Sequence, residues 1–475
     1  LYLKGWRNND VQLPSEKELA LFDAYLAERA PNLVGIGFGT PYIGLVRQLC
    51  ARIRAALPAA HIILGGVHPT IMPEDCIHHA DSVCVGEGEL PISDLARALD
   101  QGGPVTGIPN LWIHHADGAV QKNPPRPLIK DLDDLPWDRL GRLDTAFIDD
   151  DRLTRGDPQE DNTLYRIFAS RGCPYGCAFC YNSQYREIYK GLGRYHRTRT
   201  IPSVMAELEQ ALRDRPGLRK VRFDDDTFVF PRAWLDAFAR EYPARVGLPF
   251  DILLNPMAAK ADTLKLLRDA GLYHVQVGIQ GASEEEVEKQ YARKGSNARL
   301  RELAHQLHDL GVAVTYDIIL DNPTDTRTEK QAMLNLLLEL PRPFNLFIYS
   351  LVVFPRSQTA RTLLEAGIIT EEDVEGRATK SFQQFRLTLN YPRPAEDTFY
   401  ACLISLTSKS FIPRGLLRAL SRNEALRADP TPLRLVAEAA NFIKLGQVGL
   451  TMLMRGELSR FKLKEYASFR RRLIQ

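Results

Sequence analysis

Three of the seven cysteines fall within eight residues, in the run Arg171-Gly172-Cys173-Pro174-Tyr175-Gly176-Cys177-Ala178-Phe179-Cys180. Glycine and proline let such a loop wrap tightly enough to aim all three thiols at one point. The preceding run, Tyr165 to Ala169, reads as a strand, so the loop hangs from a strand's carboxyl end. Seven cysteines in 475 residues do not suggest a disulfide framework. Reduced thiols around a metal fit better.

Two kinds of metal site are open to this loop. Three thiolates can hold three corners of a [4Fe-4S] cubane, which ordinarily takes four cysteines, and one iron is then left free for an exchangeable ligand. Zinc prefers four protein ligands, and Cys402 or His196 would have to complete the set. Three unrelated buried cysteines are the remaining reading.

The rest of the chain explains where such a loop would sit. Between residues 30 and 90 apolar runs alternate with amphipathic helical patterns: Leu33 to Ile36, Leu45 to Leu57, Ile62 to Leu64, then Val83 to Val85. This is the signature of a parallel α/β sheet. Its strands end in small residues, Gly37-Phe38-Gly39-Thr40, Gly65-Gly66-Val67-His68 and Gly86-Glu87-Gly88-Glu89, where open sheets bind ligands. A hairpin is expected over 110–122, turning at Asp117-Gly118. From 165 onward six strand-like segments (Tyr165–Ala169, Val221–Phe223, Phe250–Leu254, His274–Val277, Val312–Leu320 and Phe347–Val352) alternate with helical patterns, two of them closed by Gly271 and Gly311. Six such units predict an open, partial (β/α)6 barrel with its chemistry at the strand carboxyl ends. The polar residues lie there: the cysteines, Asp224-Asp225-Asp226, Asn255, Gln280, and Asp321-Asn322-Pro323.

The expected organisation is a Rossmann-like domain over 1–130, a linker over 131–160, a partial barrel over 161–365 and a helical C-terminal domain over 366–475. The chain does not open with Met, and Leu1 to Lys4 already reads as a strand, so the first elements of the front domain are expected to be missing. With 61 basic and 59 acidic residues the formal charge is +2, and no nucleic-acid partner is implied. No run reaches the roughly 18 to 20 apolar residues of a membrane span, and no signal segment opens the sequence. A cytoplasmic location is expected.

In its spacing and its place after a first strand, the CxxxCxxC loop resembles the signature of the radical S-adenosylmethionine (SAM) superfamily, over roughly 165 to 355. The resemblance implies that Cys173, Cys177 and Cys180 hold a [4Fe-4S] cluster whose open iron chelates SAM. One electron, from a donor such as flavodoxin or ferredoxin, then cleaves SAM to methionine and a 5′-deoxyadenosyl radical. It places Phe179 and Tyr181 near the adenine. Asp225 and Asp226 resemble the DDxF element of cobalamin-dependent members, where a carboxylate contacts SAM; helix N-capping is the plain alternative. Gly278-Ile279-Gln280-Gly281 resembles the GIES element, with Gln280 in place of Glu. Asp317 and Asp321 are candidates to face a substrate cavity.

The front domain resembles the cobalamin-binding domain fused ahead of some radical SAM enzymes. That likeness assigns Thr40, Gly65, Gly66, His68, Gly86 and Glu87 to cobalamin, with His68 readable equally as a turn residue. The implied activity is methylation of an unactivated carbon of a small-molecule, lipid or tetrapyrrole substrate; radical oxidation, cyclisation or ring rearrangement would use the same parts. Cys50, Cys76 and Cys84 raise a tRNA methylthiotransferase-like alternative with a second cluster, although buried packing suits them. A non-catalytic cobalamin carrier or cluster sensor is the reading from another class. The run Phe442 to Arg472 is a basic amphipathic pattern that suits either peripheral contact with an anionic membrane or core packing with a solvated basic face.

Overall fold

The structure, a computed structural model, describes residues 1–3, 13–137, 144–158, 160–258, 260–378, 389 and 393–454. In the front domain Leu33–Gly37, His61–Gly65 and Ser82–Cys84 pair in parallel, and the hairpin Leu111–His114 and Val120–Lys122 extends the sheet antiparallel. The hairpin turns where expected, with Gly118 at φ +85°. The helix Glu16–Arg29 starts at Ser15 in a reciprocal capping box with Glu18, which satisfies two otherwise orphaned N–H groups. With Ile43–Ala56 it encloses a core of Leu19, Phe22, Val46, Leu49, Ile62 and Leu64. Cys50 and Cys76 are part of that core and Cys84 of a neighbouring one. Their burial leaves the second-cluster alternative without ligands.

The segment expected to be a linker is built into the fold. Ala146–Asp149 and Arg152–Arg155 form a hairpin, and Tyr2–Leu3 adds to it in parallel. Its turn residues Asp150 and Asp151 have φ +49° and +57°, a conformation for which Gly or Asn is the usual signal. An Asp-Asp pair concealed it.

Six parallel strands follow, Leu164–Ile167, Lys220–Phe223, Phe250–Leu254, Leu272–Gln280, Ala313–Leu320 and Asn345–Ser350, each beside its sequence neighbour. Gly271 and Gly311, at φ +114° and +65°, stop the preceding helices. The strands alternate in character, as in Val221-Arg222-Phe223-Asp224. One face buries Tyr165, Ile167, Val221, Phe223, Ile252 and Tyr316 under the helices. The other carries Arg166, Arg222, Asp251, Gln276, Thr315 and Asp317, joined by ion pairs and hydrogen bonds among Arg222, Asp224, Asp251, Gln276 and Asp317. Parallel sheets covered on both faces read as unbroken apolar runs; here one face is left for a polar cavity.

Helix Ala395–Thr407 packs onto this layer. Phe399 to Thr407 in helix Ala395–Thr407 are all buried, and Phe399, Cys402 and Leu403 share a core with the barrel strands. Each such apolar side chain contributes about 1.5 to 3 kcal/mol by leaving water. The part of the basic run Phe442 to Arg472 beyond residue 454 lies outside the described residues.

Candidate active site

The cysteine loop leaves the first barrel strand through Ser170–Arg171, which pairs antiparallel with Arg197–Thr198. Gly172 follows at φ +79°, and a β-carbon there would lie 2.5 Å from the Tyr195 carbonyl oxygen. Only glycine makes that turn. The loop is fastened again at Ala178, whose N–H donates to the Tyr291 carbonyl (2.8 Å) and whose carbonyl accepts from the Thr359 N–H (3.3 Å). Cys180 caps the amino end of helix Tyr181–Ile188, where the helix dipole favours a thiolate.

Cys173, Cys177 and Cys180 are free and half-buried. Burial pushes the Cys173 thiol up to about 11 and Cys180 to about 12. It also raises Cys177, against the opposing charge of Arg293. Thiols held protonated in this way give up protons when a metal binds. The Asn182 amide donates to Cys180 Sγ at 3.7 Å and is itself held by the Tyr195 hydroxyl at 2.5 Å, an outer layer of the kind that orients metal ligands.

The donor chemistry, three thiols on one loop with no fourth protein ligand beside them among the described residues, suits a cluster better than a closed zinc site. Thiolates at the corners of a cubane stand farther apart than ligands at about 2.3 Å from a single zinc. Cys402, one residue proposed to complete a zinc site, is fully buried in helix Ala395–Thr407. His196, the other, follows Tyr195 on the segment that returns to pair with Ser170–Arg171.

The three aspartates after the second strand diverge. Asp224 pairs with Arg166 and Arg222 on the polar sheet face. Asp225 is buried beneath the cysteine loop, accepting from the Ser170 hydroxyl and the Ala169 N–H; burial raises its carboxyl to about 7. It is a positioning residue for the loop, and its expected contact with SAM is not what the geometry shows. Asp226 is exposed at the mouth, 3.4 Å from the donating Tyr181 hydroxyl, and the surrounding protein raises its carboxyl. Of the three, Asp226 alone is exposed beside the cysteine loop. Phe179 packs edge-on against Tyr291 at 5.2 Å, and Tyr181 edge-on against Tyr185 at 5.8 Å.

Gln280 sits at φ +72° beside a register shift between Gly278 and Gln280, so the GIES-like element is a bulge that re-aims the backbone at the strand's end. Arg293 donates to the Gly278 carbonyl at 2.6 Å and thereby joins this bulge to Cys177. Asp321, at φ +61°, accepts from Arg393 Nε at 2.6 Å and from the Ser350 hydroxyl.

In the front domain the small residues sit at the carboxyl ends of the strands. Gly65 and Gly66 close the second strand; at Gly66, φ +98°, a β-carbon would strike the Phe38 backbone at 2.8 Å. Gly37 has nothing within 4 Å of where its β-carbon would stand. Thr40 and His68, however, face one another: His68 Nδ1 lies 3.2 Å from Thr40 Oγ1 and Nε2 lies 3.2 Å from Asp75 Oδ2, with the ring buried. Both ring nitrogens are thus within hydrogen-bonding distance of partners inside the domain.

Gly86 and Glu87 meet the barrel. The Glu87 N–H donates to the Tyr189 hydroxyl at 2.6 Å, and its carboxylate takes Arg197 in a fork of 2.7 and 3.2 Å, Arg171 at 3.4 Å and the Ile129 N–H at 3.0 Å. Burial alone would raise this carboxyl; Arg197, the Ile129 N–H and Arg171 outweigh it and hold it low. Tyr185 donates to the Gly66 carbonyl at 3.5 Å. Sequence reasoning missed Arg197, Tyr189, Asn182 and Arg293. One signal was available: Tyr181, Tyr185 and Tyr189 recur at intervals of four, the spacing of a single helix face.

Comparison with known families matches residues 167–337 to the Radical SAM superfamily and residues 2–96 to the B12 binding domain. The chain is 26% identical to the uncharacterized methyltransferase PH0819 of Pyrococcus horikoshii, over 65% of this chain and 64% of that one. It is also 26% identical to the anaerobic magnesium-protoporphyrin IX monomethyl ester cyclase of Rubrivivax gelatinosus, over 60% of this chain and 50% of the other. The chain thus spans between half and just under two thirds of the length of these curated relatives. Among solved structures, the radical SAM methyltransferase TsrM of Kitasatospora setae, with cobalamin and a [4Fe-4S] cluster, shares the fold at TM-score 0.60 and 18% identity, over 90% of this chain and 92% of that one. The chain carries a B12-binding domain over residues 2–96 ahead of a radical SAM domain over residues 167–337.

Proposed function

We propose that the chain is a cobalamin-dependent methyltransferase acting on an unactivated carbon of a small-molecule, lipid or tetrapyrrole substrate. The observation that carries this reading is the joint between the two domains. Strand-end loops of the B12-binding sheet, at Gly66, Gly86 and Glu87, are locked to the helix and strand that flank the cysteine loop. A carrier or sensor needs no such fixed registry between two cofactor sites, whereas transfer between them does.

When bound, the cluster and SAM supply the radical and cobalamin the methyl carrier. The chain's own residues then have distinct tasks. Cys173, Cys177 and Cys180 hold the cluster, with Asn182 donating to Cys180. Asp226 and Tyr181 line the mouth beside it, Gln280 turns the fourth strand's end, and Asp225 fixes the loop from below. Arg222, Asp251, Gln276 and Asp317 give the barrel a polar floor that orients a substrate's polar groups. A soluble electron donor such as flavodoxin or ferredoxin would supply the electron, and no nucleic acid is required. A cytoplasmic setting suits this chemistry. No helix among the described residues is long and apolar enough to cross a membrane, but Leu435, Phe442, Ile443, Leu450 and Leu453 are exposed on helix Thr431–Met454, which supports peripheral membrane contact.

A second reading, radical cyclisation, is favoured by the likeness to the cyclase relative. Anaerobic reconstitution with SAM and cobalamin, followed by mass spectrometry, separates the two. Methyl transfer requires S-adenosylhomocysteine alongside 5′-deoxyadenosine; cyclisation gives 5′-deoxyadenosine alone. Neither product from a chain with an intact cluster excludes both.

A further inference from the structure

At the opposite end of the barrel from the cysteines, around the amino ends of the fifth and sixth strands, lies a cavity of about 590 Å³. Lys409 and Lys444 line it, with Ser410, Gln447, Phe344 and Phe411. Lys409 is 5% exposed, and its ammonium has one hydrogen bond, to Ser408 Oγ at 3.1 Å. Lys444 Nζ donates to the carbonyls of Phe344 (3.0 Å) and Ser408 (3.1 Å). Among the described residues neither ammonium has a carboxylate within ion-pairing distance, and the cavity lining contains no acid.

Lys444 is partly explained by the fold, because Ser408 caps the carboxyl end of helix Ala395–Thr407, where a cation is favourable. Lys409 is not. Burial, with the charge of Lys444 added, drives it down to about 7, and burial brings Lys444 to about 8. Two ammoniums sharing a cavity without a counter-charge are costly unless an anion joins them. The volume far exceeds that of a bare phosphate and lies within the range of small-molecule sites. Its walls include Val312, Val314, Phe344 and Phe411, the last 47% exposed at the rim.

We propose that this cavity binds an oxyanion carried on an apolar body, with the phosphate or carboxylate between Lys409 and Lys444 and the hydrocarbon against Phe344 and Phe411. The site is separate from the chemistry, so its ligand anchors or regulates and is not turned over. A lipid headgroup and a free amphiphilic acid share this chemistry, and the test distinguishes them.

The full chain, purified anaerobically with its cluster, is titrated calorimetrically with dodecyl phosphate and with inorganic phosphate, and sedimented with vesicles of phosphatidylglycerol or phosphatidylcholine. Saturable one-to-one binding of dodecyl phosphate is expected, at least tenfold tighter than inorganic phosphate and weakened at least tenfold by Lys409→Met and by Lys444→Met. Phosphatidylglycerol-selective sedimentation that the same variants abolish identifies a lipid headgroup; dodecyl phosphate binding without it identifies a free amphiphile. No saturable binding, binding unchanged in both variants, or equal affinity for inorganic phosphate overturns the proposal. Should the variants fail to fold, 13C-methylated lysines in the unsubstituted chain decide: dodecyl phosphate must move the lowest-titrating lysine resonance to higher pH, and an unmoved titration overturns the site.

Discussion

The Tyr189 hydroxyl lies 1.9 Å from the point where a β-carbon on Gly86 would stand. Gly86 is therefore glycine because the barrel's first helix presses on it, and its φ of +99° adds a second reason. Gly86→Ala must displace Tyr189 and strain the backbone, at about 3 kcal/mol in stability. Chemical denaturation is expected to show this loss, and Gly86→Ala with Tyr189→Ala should recover part of it. A Gly86→Ala chain as stable as the parent would mean that the domains do not meet there.

Glu87 and Arg197 carry the same joint electrostatically, with side chains 15% and 8% exposed. Glu87→Gln leaves Arg197 without its charge partner and should cost about 3 kcal/mol. Because Glu87 titrates below its unfolded value, its stabilisation is present at neutral pH and fades as pH falls below the ordinary glutamate value of about 4.3. Denaturation profiles from pH 7 to 2 should be flatter over the acid end in Glu87→Gln than in the parent.

Asp225 behaves in the opposite sense. Its carboxyl is raised to about 7 by burial, so the folded chain holds a proton that the unfolded chain loses near pH 4. Stability is then fully present below about pH 4 and declines as pH rises toward 7. Asp225→Asn keeps an acceptor for Ser170 without the charge, and should melt higher than the parent at pH 8 and show less pH dependence. A lower melting point for the variant at pH 8 would mean that the charged form is the stabilised one.

His68→Gln should leave the spectrum of bound cobalamin unaltered, since both imidazole nitrogens are taken up by Thr40 and Asp75. The cob(II)alamin electron paramagnetic resonance signal should show no nitrogen splitting that disappears with His68. Loss of such splitting in the variant would place the histidine on cobalt.

These sites divide by how local their causes are. The six barrel strands, the stops at Gly271 and Gly311 and the loop at Cys173 to Cys180 were legible because each is set by neighbours in sequence: strand alternation, glycine φ and thiol spacing. The surroundings of His68, Glu87 and Asp225 are set by partners 7 to 110 residues away, Asp75, Arg197 and Ser170, which no local pattern reveals. The hairpin at Asp150-Asp151 was hidden because aspartate tolerates positive φ without advertising it.

The proposed function requires one rigid joint to hold the cluster and cobalamin sites facing each other. Electron paramagnetic resonance of the cob(II)alamin-loaded chain, before and after the [4Fe-4S] cluster is reduced, tests it most directly. The reduced cluster is expected to broaden the cobalt signal by spin–spin coupling, and Cys177→Ala to remove the broadening while cobalamin stays bound. A cobalt signal unchanged by cluster reduction, with both cofactors present in full, would contradict it.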